Sequence, residues 1–313
     1  MGDAADAIRI RELTKRYGQR LAVDRLTFDV PTGSVTGFLG PNGAGKTTTM
    51  RVLLGLAAAS SGDAHVLGGP YASLDDPLRR VGAALEITGF HPGRTARDHL
   101  RIVCTQGGLA EDRADAVLSL TGMQEYARMK VKGFSFGMRQ RLALAAALLG
   151  DPRVLVLDEP ANGLDPAGVA WLRTFLRRFA DGGGAVLISS HILSEIAEVA
   201  DRVVVVDRGT LVRQGSVVEL TAAAGQAVVV RSPDIDRLRP ALEGGGASVT
   251  PEPDGSFAVR NMAIEEVGRI AAEQGAILHE LVRRTSSLEE AFLALTGGGA
   301  TPPARPDAPE ASP

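Results

Sequence analysis

The fold is decided by one stretch, Gly40-Pro41-Asn42-Gly43-Ala44-Gly45-Lys46-Thr47-Thr48. It satisfies the pattern G-x-x-x-x-G-K-[S/T] of a phosphate-binding loop. A short apolar strand pattern precedes it at 33–39, and a helical pattern follows it at 48–54. In the order strand, glycine loop, helix, consecutive backbone N–H groups point at an anion, and the helix N-terminus adds about half a positive charge. The stretch therefore predicts a nucleotide phosphate site, with Lys46 on the terminal phosphates and the Thr47 hydroxyl on Mg²⁺.

A second stretch supplies carboxylates. Residues 154–159 read Val-Leu-Val-Leu-Asp-Glu, and a run this apolar is typical of a parallel strand buried on both faces. Ligands of such sheets bind at the carboxyl ends of the strands. We therefore expect Asp158 and Glu159 beside the phosphate loop. Asp158 suits a contact with Mg²⁺, direct or through water, and Glu159 suits the orientation or deprotonation of an attacking water.

Three further features have two readings each. His191 ends the apolar run 185–190, so we expect it at the same sheet edge, where it holds the γ-phosphate or the water rather than serving structure alone. Tyr17 either stacks on an adenine face or packs as a half-exposed strand tyrosine. Ser135 and Gly137 precede a helical run and form either a second anion site or an ordinary helix cap.

Composition bounds the class of protein. The chain has 313 residues, 44% of them hydrophobic, enough for one large domain and a small one. Its formal net charge of −3 argues against a nucleic-acid-binding protein. The single cysteine, Cys104, excludes an internal disulfide and fits a reducing compartment as a buried thiol. No run reaches 18 apolar residues and no signal peptide opens the chain, which predicts a cytoplasmic protein that reaches a membrane only through a partner.

The order of patterns predicts two domains and a tail. Small residues at 221–225 mark the boundary. Beyond it, the patterns follow the order βαββαβ, which is typical of a small α+β, ferredoxin-like domain, and a helix with a serine cap follows at 287–295. The Gly-, Pro- and Ala-rich end is expected to be disordered. The predicted divisions are 1–220 for a nucleotide-binding domain with a helical subdomain at about 88–150, 221–296 for the small domain and 297–313 for the tail.

Over residues 8–216 the ensemble of motifs resembles the ATP-binding subunit of an ABC transporter. The resemblance implies an α/β P-loop NTPase core with β-rich and helical subdomains, and ATP and Mg²⁺ as cofactors. It identifies residues 134–138 with the signature motif and 163–165 with the D-loop. It implies that the catalytic residues are Glu159, His191 and Lys46, that the metal is held by Thr47, Asp158 and Glu86, and that the nucleotide is bound by Tyr17, Gly40, Pro41, Asn42, Gly43, Ala44, Gly45, Lys46, Thr47, Thr48, Ser135, Gly137 and Asp165.

The chain departs from the family pattern in two places. The usual signature is Leu-Ser-Gly-Gly-Gln, whereas residues 134–138 read Phe-Ser-Phe-Gly-Met. Glu86 stands where a glutamine is usual, and an ionised carboxylate cannot donate a hydrogen bond. With the ending Thr-Ser-Ser-Leu-Glu-Glu-Ala-Phe-Leu at 285–293, these departures resemble the branch of bacitracin-resistance, lantibiotic-immunity and antibiotic-export ATPases.

The resemblance implies a motor subunit. In that family each ATP lies between the phosphate loop of one chain and the signature of another, so the chain is expected to form a homodimer or a heterodimer. Hydrolysis would then drive a separately encoded transmembrane permease at the cytoplasmic face of the plasma membrane, for efflux of an antibiotic, peptide or other hydrophobic compound. Two alternatives stay open. One is a non-transport ATPase of the same type, although no second cassette or basic arm is visible. The other is a nucleotide-dependent regulatory switch, which Glu86 and the altered signature keep open and which Glu159 and His191 argue against.

Overall fold

The computed structural model describes residues 6–85, 89–190, 192–223, 226–252 and 254–285. The expectations for Glu86, His191, the helix at 287–295 and the tail at 297–313 lie outside these residues. The strands are β1 (Asp6–Tyr17), β2 (Arg20–Pro31), β3 (Ser34–Leu39), β4 (Ser61–Val66), β5 (Val81–Ala84), β6 (Val154–Asp158), β7 (Ala185–Ser190), β8 (Arg202–Asp207), β9 (Thr210–Ser216), β10 (Gln226–Arg231), β11 (Ser248–Pro251), β12 (Phe257–Arg260) and β13 (Glu280–Thr285).

Helices lie in many of the connections between these strands. They are α1 (Lys46–Leu53), α2 (Pro77–Arg80), α3 (Ala96–Gln106), α4 (Arg113–Leu120), α5 (Phe136–Ala147), α6 (Pro166–Asp181), α7 (Leu193–Ala197), α8 (Val217–Ala223), α9 (Ile235–Gly244) and α10 (Ile264–Glu273). No helix within the described ranges has the length and hydropathy to cross a lipid bilayer.

A six-stranded sheet carries the predicted site. Its order is β5-β6-β7-β3-β8-β9, with β9 antiparallel and the other strands parallel. Every residue of β3, β6 and β7 is buried, as their apolar sequences predict. The phosphate loop follows β3 and the two carboxylates follow β6, with β7 between those strands. The carboxyl ends of all three therefore meet at one edge of the sheet.

The two faces of this sheet pack against different layers, because successive side chains point to opposite faces. Val154 and Val156 share one core with α1 and with the antiparallel sheet β2-β1-β4. Leu155 and Leu157 share a second core with residues of α3, α4, α5 and α6. Burial of each such side chain stabilises the fold by about 1.5–3 kcal/mol. The sheet that carries the predicted site is thus packed between an antiparallel β layer and a helical layer.

The helical layer begins with a capped helix. Thr95 accepts a hydrogen bond from the Asp98 backbone nitrogen at 3.1 Å and donates one to the Asp98 carboxylate at 2.7 Å. A threonine followed three residues later by an aspartate predicts such a cap, and this pair caps α3. Cys104 of α3 is fully buried, and burial raises the pKa of its thiol.

The C-terminal strands form a separate sheet with the order β11-β12-β10-β13, all neighbours antiparallel. With α9 and α10 on one face and a core of their own, this is the ferredoxin-like plan that the element order predicts. The sequence pattern at 276–283 predicts a strand, but the strand begins only at Glu280. Helix α8 continues to Ala223 through part of the expected boundary at 221–225, and the boundary itself stays a prediction.

The sequence analysis also missed β4. Its sequence is Ser-Gly-Asp-Ala-His-Val, and its first three residues are exposed, so no alternation of apolar residues marks it. It is a strand because it pairs with β1, where Ile8 lies opposite Val66 and Ile10 opposite Ala64.

Candidate functional site

The phosphate loop passes from β3 into α1 through Gly45. This residue precedes the helix with φ of 103°, a left-handed conformation that favours glycine. A Cβ at this position would lie 2.6 Å from the carbonyl oxygen of Ala22. The loop is therefore packed against β2, and the N-terminus of α1 is open for an anion.

Lys46, the first residue of α1, is buried within the loop. Its side chain is 7% exposed, and Nζ donates hydrogen bonds to the carbonyl oxygens of Gly40 at 2.6 Å and Pro41 at 3.4 Å. Burial lowers the pKa of the amine, and the charges of Glu159 and Asp158 oppose that shift. The Glu159 carboxylate lies 3.9 Å away. The lysine head group therefore sits among the acceptors of its own loop, at the mouth where phosphates would arrive.

Thr47 and Asp158 come together as the sequence predicts. The Thr47 hydroxyl donates to Asp158 Oδ2 at 2.5 Å. The other carboxylate oxygen, Oδ1, accepts a hydrogen bond from the Ser189 hydroxyl. A hydroxyl beside a carboxylate at the mouth of a phosphate site is the oxygen donor set that Mg²⁺ prefers, with phosphates and waters completing its shell. These residues therefore fit a magnesium ion.

Glu159 follows β6 in an unusual backbone conformation. Its φ is 50°, in the left-handed region that non-glycine residues adopt rarely. Its backbone nitrogen donates to the carbonyl oxygen of Ser189 at 3.2 Å and to the Ser189 hydroxyl at 3.0 Å. Its carbonyl oxygen accepts from Gln140 Nε2 at 3.4 Å. These contacts fix the turn that carries the carboxylate away from the strand and toward Lys46.

A first pocket of about 360 Å³ unites the residues from these elements. Tyr17 borders it with a ring that is 46% exposed, and the Lys15 ammonium lies 4.7 Å from the ring centroid. Arg20 and Ala22 line it as well, and the sequence analysis missed both. Arg20 pairs with Tyr17 across the β1–β2 hairpin, so a strand pairing drawn from Tyr17 would have found it. The lining is Tyr17, Arg20, Ala22, Asn42, Gly43, Ala44, Gly45, Lys46, Thr47, Thr48, Asp158 and Glu159.

A second pocket, of about 350 Å³, contains the predicted signature residues and Asp165. The Ser135 hydroxyl caps α5 by accepting from the Met138 backbone nitrogen at 3.2 Å. The helix starts at Phe136, three residues earlier than the helical run suggested. Ser135 is thus a helix cap that also borders this pocket, and its role in binding an anion stays a prediction.

Close packing shapes the second pocket. A Cβ on Gly137 would overlap the carbonyl oxygen of Gly163, and a Cβ on Gly163 would overlap the Phe136 ring. Asp165 caps α6 through the Gly168 nitrogen at 3.0 Å and accepts from Arg141 at 3.2 Å. The sequence analysis missed Arg141, although it lies one helical turn beyond Gly137 and therefore on the same face.

The two pockets share no lining residue. The first brings together Lys46, Thr47, Asp158 and Glu159, which can bind phosphates and a cation and direct a water. The second offers a hydroxyl, backbone N–H groups at a helix N-terminus and a close glycine contact, which can bind an anion. Its carboxylate, Asp165, caps α6 and pairs with Arg141.

A phosphate loop at the carboxyl edge of a parallel sheet, with a carboxylate pair on a nearby strand, defines the class of P-loop nucleoside triphosphatases. Residues 23–162 match the profile of the family described as ABC transporter, and residues 226–289 match a domain of unknown function. The chain is 42% identical over 210 residues to the Bacitracin transport ATP-binding protein BcrA of Bacillus licheniformis, covering 66% of this chain and 69% of the relative. It is 33% identical over 299 residues to the protein of the same name in Enterococcus faecalis, covering 93% and 97%.

A solved structure of the ATP-binding subunit of an ABC transporter superposes with a TM-score of 0.64 at 25% identity, covering 70% of this chain and 93% of that one. The chain therefore belongs to the ABC transporter family as an ATP-binding subunit. It binds ATP and is an ATPase, which confirms the fold, family and enzyme class expected from the motifs. The charge-based argument against a nucleic-acid partner stays a prediction.

Proposed function

We propose that the chain is the motor subunit of an exporter and that it hydrolyses ATP–Mg²⁺ between two chains. The observation that carries this proposal is the separation of the two pockets. The first contains the catalytic carboxylates and the second the signature, and no residue lines both. A single chain therefore offers two half-sites. Two chains related by a twofold axis complete two sites, most simply as a homodimer.

The chain's own residues suit in-line attack of water on the γ-phosphate. Lys46 leaves the carbonyl oxygens of Gly40 and Pro41 for the phosphate oxygens, which also accept from the N–H groups at the start of α1. Mg²⁺, held by Thr47 and Asp158, supplies neutralisation of phosphate charge when bound. The Glu159 carboxylate orients the water and takes its proton. Glu86 stays our predicted third metal contact and His191 our predicted γ-phosphate contact.

The second chain contributes hydrogen bonds to the nucleotide and no group that takes part in proton transfer. Its Ser135 hydroxyl and the backbone at Gly137 meet the γ-phosphate, and its Asp165 borders the junction. These groups add hydrogen bonds to a phosphate that is already charge-compensated. Closure therefore depends on the triphosphate, and loss of the γ-phosphate weakens it. A cycle of closing and opening follows, which is the motion that a motor subunit transmits.

The family supports a proposal for the partner and the cargo. We propose that a separately encoded transmembrane permease holds the chain at the cytoplasmic face of the plasma membrane. The relatives named for bacitracin transport favour an antibiotic, a peptide or a related hydrophobic compound as the cargo. We also propose that 1–220 and 221–296 are separate domains, because the C-terminal sheet has its own hydrophobic core.

Complementation between two inactive variants tests the shared site. Lys46→Ala disables the first half-site and Ser135→Arg the second. Each homodimer then has two damaged sites, whereas a mixed dimer has one intact site and one doubly damaged site. An equal mixture contains about half mixed dimers and recovers about a quarter of the normal ATPase rate.

The control for that experiment is one chain with both substitutions, mixed with either single variant. Such a mixture contains no intact site, so its rate stays at the level of the separate variants. If mixing Lys46→Ala with Ser135→Arg gives no recovery while both chains still dimerise with the unaltered protein, the shared site is wrong.

The export role needs a separate measurement. The chain is produced with its membrane partner in a bacitracin-sensitive strain, and the inhibitory concentration of bacitracin is compared with that for Glu159→Gln. Export predicts resistance with the unaltered chain and none with the variant. An ATPase rate that membrane vesicles containing the partner do not change would contradict the motor role.

A further inference from the structure

Ser189 is a buried residue of β7 that none of the motifs includes. It lies opposite Asp158 in the pairing of β6 with β7 and is fully buried. It is one of six consecutive buried positions in β7, because both faces of the sheet are covered. A serine in such a run requires hydrogen-bond partners for its hydroxyl, because an unpaired hydroxyl in an apolar environment destabilises the fold.

The partners of that hydroxyl are the two residues with carboxylates. The Ser189 hydroxyl donates to Asp158 Oδ1. The Ser189 hydroxyl oxygen also accepts a hydrogen bond from the backbone nitrogen of Glu159 at 3.0 Å. One oxygen atom thus contacts both the side chain of the expected metal ligand and the backbone of the expected general base.

We propose that Ser189 is a positioning residue for hydrolysis, which sets the orientation of the Asp158 carboxylate and the placement of Glu159. The proposal rests on the roles of Asp158 and Glu159 proposed above. With Oδ1 held by Ser189, the carboxylate presents Oδ2 to Thr47, and these two atoms are 2.5 Å apart. The plane of the carboxylate is therefore fixed from both sides before a cation arrives.

The second contact acts on the backbone. Glu159 has a φ of 50°, a left-handed conformation that is unfavourable for an L-residue. Its nitrogen is held by the carbonyl oxygen and the hydroxyl of one serine. Removal of the hydroxyl leaves the hydrogen bond to the Ser189 carbonyl oxygen in place but removes the second hydrogen bond to the Glu159 nitrogen. The backbone at Glu159 is then less restrained, and its carboxylate samples a wider range of orientations.

A purely structural role is the competing explanation. The backbones of β6 and β7 already pair along their length, from Val154 opposite Ala185 to Asp158 opposite Ser189. The hydroxyl is therefore not needed to join the strands. A structural role predicts a loss of thermal stability with unchanged catalysis, whereas positioning predicts a loss of metal affinity and kcat.

The test compares three variants. Ser189→Ala removes the hydroxyl, Ser189→Cys keeps its volume with a weak donor, and Ser189→Thr keeps the hydroxyl. Thr36→Val is the matched control, since Thr36 is a fully buried residue of the neighbouring strand β3 whose hydroxyl oxygen has no hydrogen-bond partner within the described part of the chain. Two quantities are measured: the Mg²⁺ concentration that half-saturates the fluorescence of a bound ATP analogue, and kcat with KM for ATP.

For Ser189→Ala and Ser189→Cys we expect the half-saturating Mg²⁺ concentration to rise and kcat to fall, each about 10- to 100-fold, as one lost hydrogen bond to a carboxylate predicts. ATP binding without Mg²⁺ stays unchanged, Ser189→Thr recovers most of both losses, and Thr36→Val resembles the unaltered chain. If the added methyl group prevents Ser189→Thr from folding, the comparison of the Ala and Cys variants with Thr36→Val still decides.

Asp158→Asn separates the two levels of the proposal. If Asp158→Asn leaves the Mg²⁺ dependence unchanged, the proposed metal site itself is wrong. If Asp158→Asn abolishes it while Ser189→Ala stays within about twofold of the unaltered chain in Mg²⁺ half-saturation and kcat, the inference about Ser189 is overturned and the metal site stands.

Discussion

The two pockets have nearly the same volume, about 360 and about 350 Å³, but they are built in different ways. In the first, Lys46 and Asp158 are both less than 10% exposed, and their opposite charges interact at the carboxyl edge of a parallel sheet. In the second, the charged pair Arg141 and Asp165 is more exposed, and glycine contacts shape the surface. The first pocket contains the residues that we propose for catalysis, and the second contains those that we propose to bind the γ-phosphate held by a partner chain.

This difference follows from the energetics of burial. Buried charges are costly unless they are paired, so the fold must fix them before the nucleotide arrives. The first pocket does so through the register of β6 and β7 and through the loop carbonyls around Lys46. Under the proposed function, the second pocket needs only an accessible helix N-terminus, because the first pocket and Mg²⁺ already compensate the charge of its phosphate. Changes in the first pocket should therefore affect chemistry, and changes in the second should affect assembly.

The strongest test of this contrast is Glu159→Gln. The amide keeps the size of the side chain but cannot take a proton from water, so we expect kcat to fall by at least about 100-fold. ATP should still bind and should hold two chains together. Light scattering after size exclusion is expected to show dimers with ATP and monomers with ADP. Normal turnover in this variant would contradict the role given to Glu159.

Gly137→Ala tests the second pocket with a smaller change. The new Cβ overlaps the Gly163 carbonyl oxygen, so the start of α5 must move away from the D-loop. We expect the ATPase rate to fall about 10-fold, an effect of about 1.4 kcal/mol, while the affinity of the monomer for ATP stays unchanged. Equilibrium binding of a fluorescent ATP analogue and steady-state hydrolysis measure these quantities separately.

Gly244→Ala is the control for that substitution. Gly244 is also a helical glycine, in α9, and nothing lies within 4 Å of a Cβ added there. Alanine is favoured over glycine in a helix, so this variant should be slightly more stable and fully active. Weaker ATP binding by the Gly137→Ala monomer would show that the two pockets are not independent.

Phe136→Ala examines the departure from the usual signature. The ring is 52% exposed and leans against Gly163, where a side chain would overlap it. Without the ring, the D-loop loses a packing contact at Gly163 and gains conformational freedom. We expect dimerisation with ATP to weaken about three- to tenfold, as loss of a partly buried aromatic contact predicts, with kcat at saturating protein nearly unchanged. A fall in kcat with unchanged dimerisation would place Phe136 in the chemical step.

Much of the first pocket could be predicted from the sequence, since its residues follow strands of obvious apolar character. The phosphate loop and the carboxylate pair lie where the sheet edge places them. Arg20 and Ser189 could not be found in this way. Arg20 reaches the pocket through a hairpin pairing, and Ser189 acts through the register of two strands that are 31 positions apart in the chain.

The second pocket was less predictable for a physical reason. Its shape depends on the close approach of Gly137 to Gly163 and on the ring of Phe136, contacts between segments that have no shared periodicity. The motif resemblance located Ser135, Gly137 and Asp165, but it gave no reason for the phenylalanine. Packing supplies that reason, because the ring occupies the space that a side chain at Gly163 would fill.

The smallest expected effect concerns the end of the first pocket at Tyr17, where we predict that the adenine base stacks and which we call the base end. Tyr17 lines the pocket and Lys15 does not. The Lys15 ammonium lies 4.7 Å from the centroid of the Tyr17 ring and donates a hydrogen bond to the Ala58 carbonyl oxygen at 2.7 Å. It therefore supports the ring from outside the pocket. Lys15→Met should raise KM for ATP about two- to fivefold with unchanged kcat, as a cation–π contact at an exposed site predicts.

A double-mutant cycle separates this support from a general effect of charge. Tyr17→Ala removes the ring, so the loss of the Lys15 cation should then have no further effect on KM. If Lys15→Met weakens ATP binding equally with and without the ring, the lysine acts on the phosphates through its charge, and the base end of the pocket contributes less than the geometry indicates. If the effect vanishes without the ring, the lysine acts by supporting the Tyr17 ring, which then serves as a binding surface within the first pocket. The contrast between a catalytic pocket and a binding pocket would then apply only to the part of the first pocket around Lys46 and Asp158.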